Sequence, residues 1–272
     1  MEIEIFLEKS VEENAGVYFD LAKKNKKKLE GAKKAVKVSE EKLAVLLKNE
    51  EKFMQKEKAK QEKLEKKKAK KKEWFHKFHW FKSSEGFLCV GGKDATSNEI
   101  IIKKHTEKED IVFHTDLAGS PFFVVKNGDE AGEATLNETA QAVAAYSKAW
   151  KLGHGTVEVF YVKPEQVTKK AQQGEFLAKG SFMVHGKTTY LRPNLEYSLG
   201  LLGDEIIGGP QASIEAQTPY FVVVVPGRNK KSAMAKKIKK DLGDGDLDDL
   251  IAFLPAGGCD LKKIPGRKRK KK

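Results

Sequence analysis

Read by the spacing of its apolar residues, the chain changes character near residue 73. Before that point Leu29, Val36 and Leu43 recur at seven-residue intervals, and Ala32, Ser39, Leu46 and Phe53 follow three positions behind. This is the a/d seam of a coiled coil, held for about three and a half heptads. The seam then fails, because the same registers hold Glu50, Glu57, Lys60 and Lys67, with Leu64 alone apolar. No glycine falls between Gly31 and Gly86 and no proline precedes Pro121. The composition of Lys, Glu, Ala and Leu is that of strong helix formers. Ser10, ahead of Glu12 and Glu13, suits a helix start. Asn49 is the turn-prone residue at the break. The pattern therefore predicts a helical hairpin, with arms of about 12–48 and 51–80, in preference to a single rod of roughly 100 Å.

Beyond residue 73 the periodicity shortens. Trp74, Phe75, Phe78, Trp80 and Phe81 place five rings in eight residues, which reads as core closing the arm, with base stacking as the alternative. Apolar runs at Gly86–Val90, Glu99–Lys103, Asp110–Thr115 and Phe122–Lys126 lie about twelve residues apart and predict an antiparallel meander. Ile100–Ile102 and Phe122–Val125 are continuous rather than alternating, so those strands are expected to be covered on both faces. Thr135 and Glu138 form a capping-box pattern. Leu136, Ala140, Val143, Ala144, Ser147 and Trp150 follow at helical spacing, and Gly153 is the stop. Further strands are predicted at Val157–Val162, Gly180–His185 and Tyr220–Val225. The last is expected to be a buried central strand, since an exposed FVVVV would template aggregation. The fold class is α+β: a mostly antiparallel sheet with covering helices, preceded by a long coiled-coil hairpin.

Charge sharpens this division. The 272 residues carry a formal net charge of +13. Residues 1–73 hold 22 basic and 15 acidic groups, net +7; residues 74–225 hold 15 and 18, net -3; residues 226–272 hold 15 and 6, net +9. Of 24 aromatic residues, 19 lie in 74–225. A near-neutral aromatic globule is thus flanked by two basic segments. No run approaches the roughly 18 apolar residues of a membrane span. The opening MEIEIFLEKS does not read as a secretory signal. Cys89 and Cys259 are too few for a disulfide scaffold or a four-cysteine zinc site. The expected class is a cytoplasmic protein with an anionic partner, nucleic acid first, and no membrane role.

Candidate chemistry is weighed against blander readings. Lys66–Lys68 and Lys70–Lys72 lack interleaved acids and suit phosphate contact, although lysine runs also form solvated helix faces. His114 and Asp116 resemble half of an acid–base pair, but alternate strand residues share a face whatever their role. His76 and His79 have a legal metal spacing without an evident third ligand. No segment matches the glycine-rich phosphate loop ending in Gly-Lys-Ser/Thr. Loop positions are more promising. Lys93 and Asp94 follow Gly91–Gly92, Ser120 follows Gly119, and Lys126 precedes Asn127–Gly128. Glycines permit close backbone approach, and these side chains suit phosphate or ribose.

Longer segments carry a family resemblance. WFHKFHWFKSSEGFLCVGGKDATSNEIIIKK (74–104), DIVFHTDLAGSPFFVVKN (110–127), SKAW (147–150) and KPEQVTKKAQQGEFLAKGSFMVHGK (163–187) resemble the NFACT-R domain. That domain is the RNA-binding module of NFACT proteins, which act in ribosome-associated quality control. SVEENAGVYFDLAKKNKKKLEGAKKAV (10–36) resembles the start of the family's coiled coil, and the region from Leu191 to IPGRKRKKK resembles the archaeal and eukaryotic branch. The resemblance implies an organisation of coiled-coil arm (1–73), NFACT-R core (74–190), an extension of the globule (191–258) and a basic tail (259–272). It implies a non-enzymatic protein without cofactor or metal that binds large-subunit ribosomal RNA and tRNA. The RNA-contacting positions it points to are Lys93, Asp94, His114, Asp116, Gly119, Ser120 and Lys126, with Arg267, Lys268 and Arg269 of the tail adding phosphate contact. The family's NFACT-N and helix-hairpin-helix modules have no counterpart in the sequence. The expectation is therefore a split subunit paired with a separate NFACT-N chain, a stand-alone protein, or a fragment. Two competing readings are a coiled-coil adaptor that recruits proteins, and a hydrolase using His114 and Asp116.

Overall fold

The computed structural model describes residues 4–48, 54, 57–58, 73–169 and 177–263. The chain divides into two units, Met1–Lys72 and Glu73–Lys272, and each is treated by itself.

The first unit is built on α1 (Val11–Lys48). Its start is a reciprocal capping box: Glu13 N–H donates to Ser10 Oγ at 3.1 Å, and Ser10 N–H donates to Glu13 Oε2 at 2.8 Å. The buried Asn14 side chain then fastens the leader, receiving the Phe6 N–H and donating to the carbonyls of Phe6, Lys9 and Ser10. The seam residues Leu29, Val36 and Leu43 are 55%, 56% and 57% exposed. The return arm of the expected hairpin falls mostly on 49–72, outside the described residues apart from Met54, Glu57 and Lys58. Its expected end is corrected. Trp74–Lys77 is a 3-10 turn and His79–Lys82 is strand β1, so the helical arm does not run to residue 80.

The second unit opens with a six-stranded antiparallel sheet. Its strands are β1, β2 (Leu88–Gly91), β3 (Ile111–Thr115), β4 (Phe123–Val125), β5 (Val159–Val162) and β8 (Thr189–Leu191), in the spatial order β1-β2-β4-β3-β5-β8. The short pair β6 (Val167–Thr168) and β7 (Met183–Val184) stands apart from it. A four-stranded antiparallel sheet follows, from β9 (Tyr197–Leu202), β10 (Glu205–Gly209), β11 (Phe221–Asn229) and β12 (Cys259–Lys262), ordered β10-β9-β11-β12. Side chains alternate across the first sheet as strand geometry requires. Cys89, Phe113, Phe123, Val125 and Val159 enter the larger core, which also receives Tyr197, Leu199, Val222 and Val224 from the second sheet. Val90, Val112, Val124, Phe160 and Val162 enter a core on the opposite face. The sheet is covered on both faces, as its continuous runs predict.

The helices of this unit are α2 (Ala95–Lys104), α3 (Glu133–Tyr146), α4 (Lys148–Leu152), α5 (Gln211–Gln217), α6 (Lys231–Leu242) and α7 (Leu247–Phe253). Helix α2 occupies the expected strand at Glu99–Lys103. Asp94 accepts the Ser97 N–H at 2.8 Å while Ser97 Oγ receives the Asp94 N–H, and this capping box, worth about 0.5–2 kcal/mol, overrides the β-branched run. It buries Ile101 and Asn98. The capping pattern at Thr135 and Glu138 is also corrected. Helix α3 starts three residues earlier, with Gly132 rather than Thr135 at its N-cap. Thr135 N–H and Oγ1–H instead donate to Glu85, and Glu138 Oε2 accepts the Ser84 N–H at 2.9 Å. Both residues therefore bind the β1–β2 turn, whose carboxylate supplies the missing cap. Gly153, at φ +72°, is the stop as expected, but the single helix expected from Leu136 to Trp150 breaks at Ser147, whose extended backbone ends α3 and whose hydroxyl caps α4.

Of the ring cluster, Phe78 and Phe81 are buried, on opposite faces of the first sheet, while Trp74 stacks on His105 at 4.1 Å. The segment at Gly180–His185 contributes only β7. The FVVVV segment lies inside the second sheet between β9 and β12, buried as expected. Strand β12 corrects the tail boundary at 259. Cys259 is buried, Trp150 Nε1–H donates to Gly258 O at 3.0 Å, and the described globule continues to Lys263.

Candidate nucleic-acid interface

The ends of β2 and β3 and the starts of β4 and α2 meet at one end of the first sheet. There they border a cleft of about 810 Å³. The approach is close. Gly92 N–H donates to Phe122 O at 3.0 Å, and Phe122 N–H donates to the buried Asn98 Oδ1 at 3.1 Å. A Cβ at Gly92 would collide with the Asn98 side chain and lie 2.9 Å from its backbone nitrogen. Glycine at this position is a packing requirement.

Six of the seven globule positions expected to contact RNA line this cleft: Lys93, Asp94, His114, Asp116, Gly119 and Ser120. Lys93 and Asp94 sit on the β2–α2 connection. The Asp94 carboxyl is held below its usual range chiefly by the Ser97 hydrogen bonds. Partial burial pushes the Lys93 ammonium below the ordinary lysine value. His114 lies flat on Phe122 at 3.9 Å, and burial lowers its pKa so that the neutral ring is favoured. Its Nε2 is 3.2 Å from the Ser120 carbonyl oxygen. The Ser120 hydroxyl instead donates to Leu117 O at 2.7 Å and lies 2.7 Å from Thr115 Oγ1. The Ser120 hydroxyl is therefore not paired with the His114 ring. Gly119, at φ +84°, makes the turn that leaves the loop backbone exposed beside the cleft.

Lys126 is the exception. Its ammonium meets Asp110 Oδ2 at 2.6 Å, Glu107 Oε2 at 3.0 Å and His105 O at 3.1 Å, and it does not line the cleft. Arg267, Lys268 and Arg269 lie outside the described residues. His76 Nδ1 is 3.1 Å from Glu73 O, His79 lies on Tyr146, and among the described residues no group of three or more His, Cys, Asp or Glu side chains converges.

The cleft also gathers His79, which the sequence marked only as half of a metal-spaced pair, and Tyr146, Lys179 and Lys231, which its local pattern did not mark. His79 stacks on Tyr146 at 3.7 Å. Burial, then the charges of Lys93 and Lys231, push its imidazole down to about 3. Tyr146 is fixed by donating its hydroxyl proton to Phe253 O at 2.7 Å, with Tyr197 Oη 2.9 Å away on its other side. Lys231 donates to Leu254 O at 2.6 Å. Lys179 belongs to a wall clasped onto α2. Glu99 Oε1 receives the Gly180 N–H at 3.1 Å and Lys169 Nζ at 2.8 Å, and Lys169 also reaches Ala178 O and Ser181 O. These partners, Lys169 first, lower the Glu99 carboxyl to about 2. Gly180, at φ +80°, lies against the Ala95 backbone, where a side chain would not fit. Lys179 lies within a segment carrying the family resemblance, which is the one signal that pointed to it. Lys231 arrives from 138 residues beyond Lys93 through the second sheet.

The cleft is edged by lysines and stacked rings, on loops held by an antiparallel globule, so it offers positive charge beside flat apolar surface. Residues 77–186 match a family profile described as the NFACT protein RNA binding domain. The chain is 40% identical over 201 residues to the archaeal Rqc2 homolog aRqcH of Methanocaldococcus jannaschii, covering 71% of this chain and 30% of that protein. It is 35% identical over 205 residues to the ribosome quality control complex subunit NEMF homolog of Drosophila melanogaster, covering 73% and 20%. Against the human ribosome quality control complex subunit NEMF it is 37% identical over 187 residues, covering 66% and 16%. The chain belongs to the NFACT family. It spans less than a third of the length of these curated relatives.

Proposed function

We propose that this protein is a non-enzymatic RNA-binding factor of ribosome-associated quality control. It acts in the cytoplasm and engages the large ribosomal subunit and tRNA during rescue of stalled ribosomes. The observation that supports this reading is the convergence of Lys93, Asp94, His114, Asp116, Gly119 and Ser120, scattered over 28 positions of the sequence, on one cleft that also holds Lys179 and Lys231. The near-neutral globule supplies placed contacts. The arm (1–73) and the tail region supply sequence-independent phosphate attraction and hence salt dependence. We take the NFACT-R core (74–190), with the extension that β12 carries on to Lys262, as the RNA-facing body. A separate NFACT-N chain is a natural partner for it. Co-sedimentation with purified large subunits, strong at about 50 mM salt and lost steeply by about 200 mM, is expected from counterion release. Retention of neither subunits nor tRNA at low salt would refute the reading.

The exposed Leu29, Val36 and Leu43 favour a second reading, in which the arm recruits a protein through its coiled-coil seam. Deleting residues 1–73 separates the two. Loss of protein partners with RNA affinity intact supports the adaptor; loss of RNA affinity supports the first reading.

A further inference from the structure

The cleft has two unlike ends. One lies on the side of the sheet covered by α3, where the neutral His79 ring lies flat on Tyr146, with Lys93 and Lys231 as its charged neighbours. Lys231 opens α6, whose first turn has no side-chain cap, so the helix dipole adds positive potential to the same end. The other end lies on the face covered by α2. Its wall is aromatic: His114 is flat on Phe122, and Phe182 meets Phe122 edge-on at 5.3 Å. Asp94 and Asp116 also border the cleft. Carboxylates would repel a purely phosphate ligand, so their presence calls for hydrogen-bond donors on the same molecule. A volume of about 810 Å³ lies well inside the range of small-ligand sites, about 300–1,000 Å³.

We propose that the cleft holds one unstacked nucleotide of a single-stranded RNA segment. Its phosphate lies against Lys93 and Lys231, its base against the Phe122 and Phe182 wall, and its ribose hydroxyls donate to Asp94 or Asp116. This rests on the RNA-binding reading above and narrows it to unpaired strands. A base held in a duplex is stacked on both sides and cannot reach a wall set into the end of a sheet. Each group of a ribonucleotide finds its complement: ammonium for phosphate, ring for base, carboxylate for hydroxyl.

The test is titration of the full chain with adenosine 5′-monophosphate, adenosine and inorganic phosphate, followed by amide and aromatic NMR shifts. The mononucleotide is expected to perturb both ends, phosphate the His79, Lys93 and Lys231 end alone, and adenosine the Phe122 and Phe182 end alone. Lys93→Gln and Phe182→Leu are each expected to weaken mononucleotide binding at least fivefold without changing the thermal melt. A single-stranded ten-nucleotide oligouridylate should displace the mononucleotide, and a blunt ten-base-pair duplex should not. Mononucleotide shifts absent from the cleft, or equal displacement by the duplex, would overturn the inference. If large subunits still co-sediment in that case, RNA binding stands without the pocket. A mononucleotide bound in the cleft of a chain that retains no RNA would instead overturn the reading on which the inference rests.

Discussion

Replacing Lys126 with methionine separates a structural lysine from an RNA-contacting one. Lys126 Nζ is 2.6 Å from Asp110 Oδ2, and the Asp110 side chain is 0% exposed. Its second carboxylate partner, Glu107, is 68% exposed, so that contact contributes little. The energetic question is what becomes of Asp110. Removing one partner of a buried pair costs about 3–5 kcal/mol when the remaining charge is uncompensated. Asp110 keeps two backbone donors, Glu107 N–H at 2.7 Å and Asn127 N–H at 2.9 Å, which hold the carboxylate and place the cost near the lower bound, about 3 kcal/mol. At about 2–4 °C per kcal/mol for a unit of this size, the melting temperature should fall by about 6–12 °C. The assay is a pair of measurements on Lys126→Met: a thermal melt, and binding to a fluorescent single-stranded RNA below the melting onset. RNA affinity within twofold of the parent is expected. A melting temperature lowered by less than about 2 °C, together with a several-fold loss of RNA affinity, would refute the structural assignment and return Lys126 to the interface.

Three further outcomes are expected. His79 titrates near 6.5 when unfolded and near 3 when folded. The unfolded chain therefore binds the extra proton between those values, and the stabilisation present above about pH 6.5 is lost as pH falls towards 3. At pH 5 this loss is about 1 kcal/mol after allowance for the ring's partial exposure; urea midpoints of parent and His79→Phe that fall by the same amount from pH 7.5 to pH 5 would contradict it. Burial raises the thiols of Cys89 and Cys259 to about 12 and about 11, so native protein at pH 7.5 should react negligibly with an aromatic disulfide reagent and release two equivalents only on denaturation; fast reaction of either in the folded state would be inconsistent with this burial. Glu99→Ala removes the acceptor shared by Lys169 and Gly180, and should increase proteolysis within 177–184 and weaken RNA binding several-fold while the global melt moves by less than about 3 °C; unchanged proteolysis would show that the clasp does not hold the wall.

Local pattern alone determined much of this protein. The short apolar runs at Asp110–Thr115, Phe122–Lys126, Val157–Val162 and Tyr220–Val225 each hold a strand, and continuous rather than alternating apolarity marks strands with both faces covered. Ser10 with Glu13 fixes the start of α1 through its own side chains. Where sequence and structure part, the deciding atoms are distant or the local signal is finer than the apolar count. The Ile100–Ile102 run reads as a strand until Asp94 and Ser97 close a capping box ahead of it. Thr135 and Glu138 look like a cap, yet their partners are Glu85 and Ser84 in the β1–β2 turn. The site divides in the same way. Motif residues on adjacent loops were legible because the loops themselves carry the chemistry. Lys126 was legible as a loop cation, but only tertiary structure places the buried Asp110 against it. Tyr146 and Lys231 have no local signature, and His79 stood out only through its spacing from His76; their place in the cleft comes from being stacked and clustered. The sequence by itself determined a basic arm, an antiparallel core and a family. Tertiary structure decided which cations line the cleft and which, like Lys126, are paired with a buried carboxylate, because chain spacing does not encode which groups lie within about 3 Å of an ammonium.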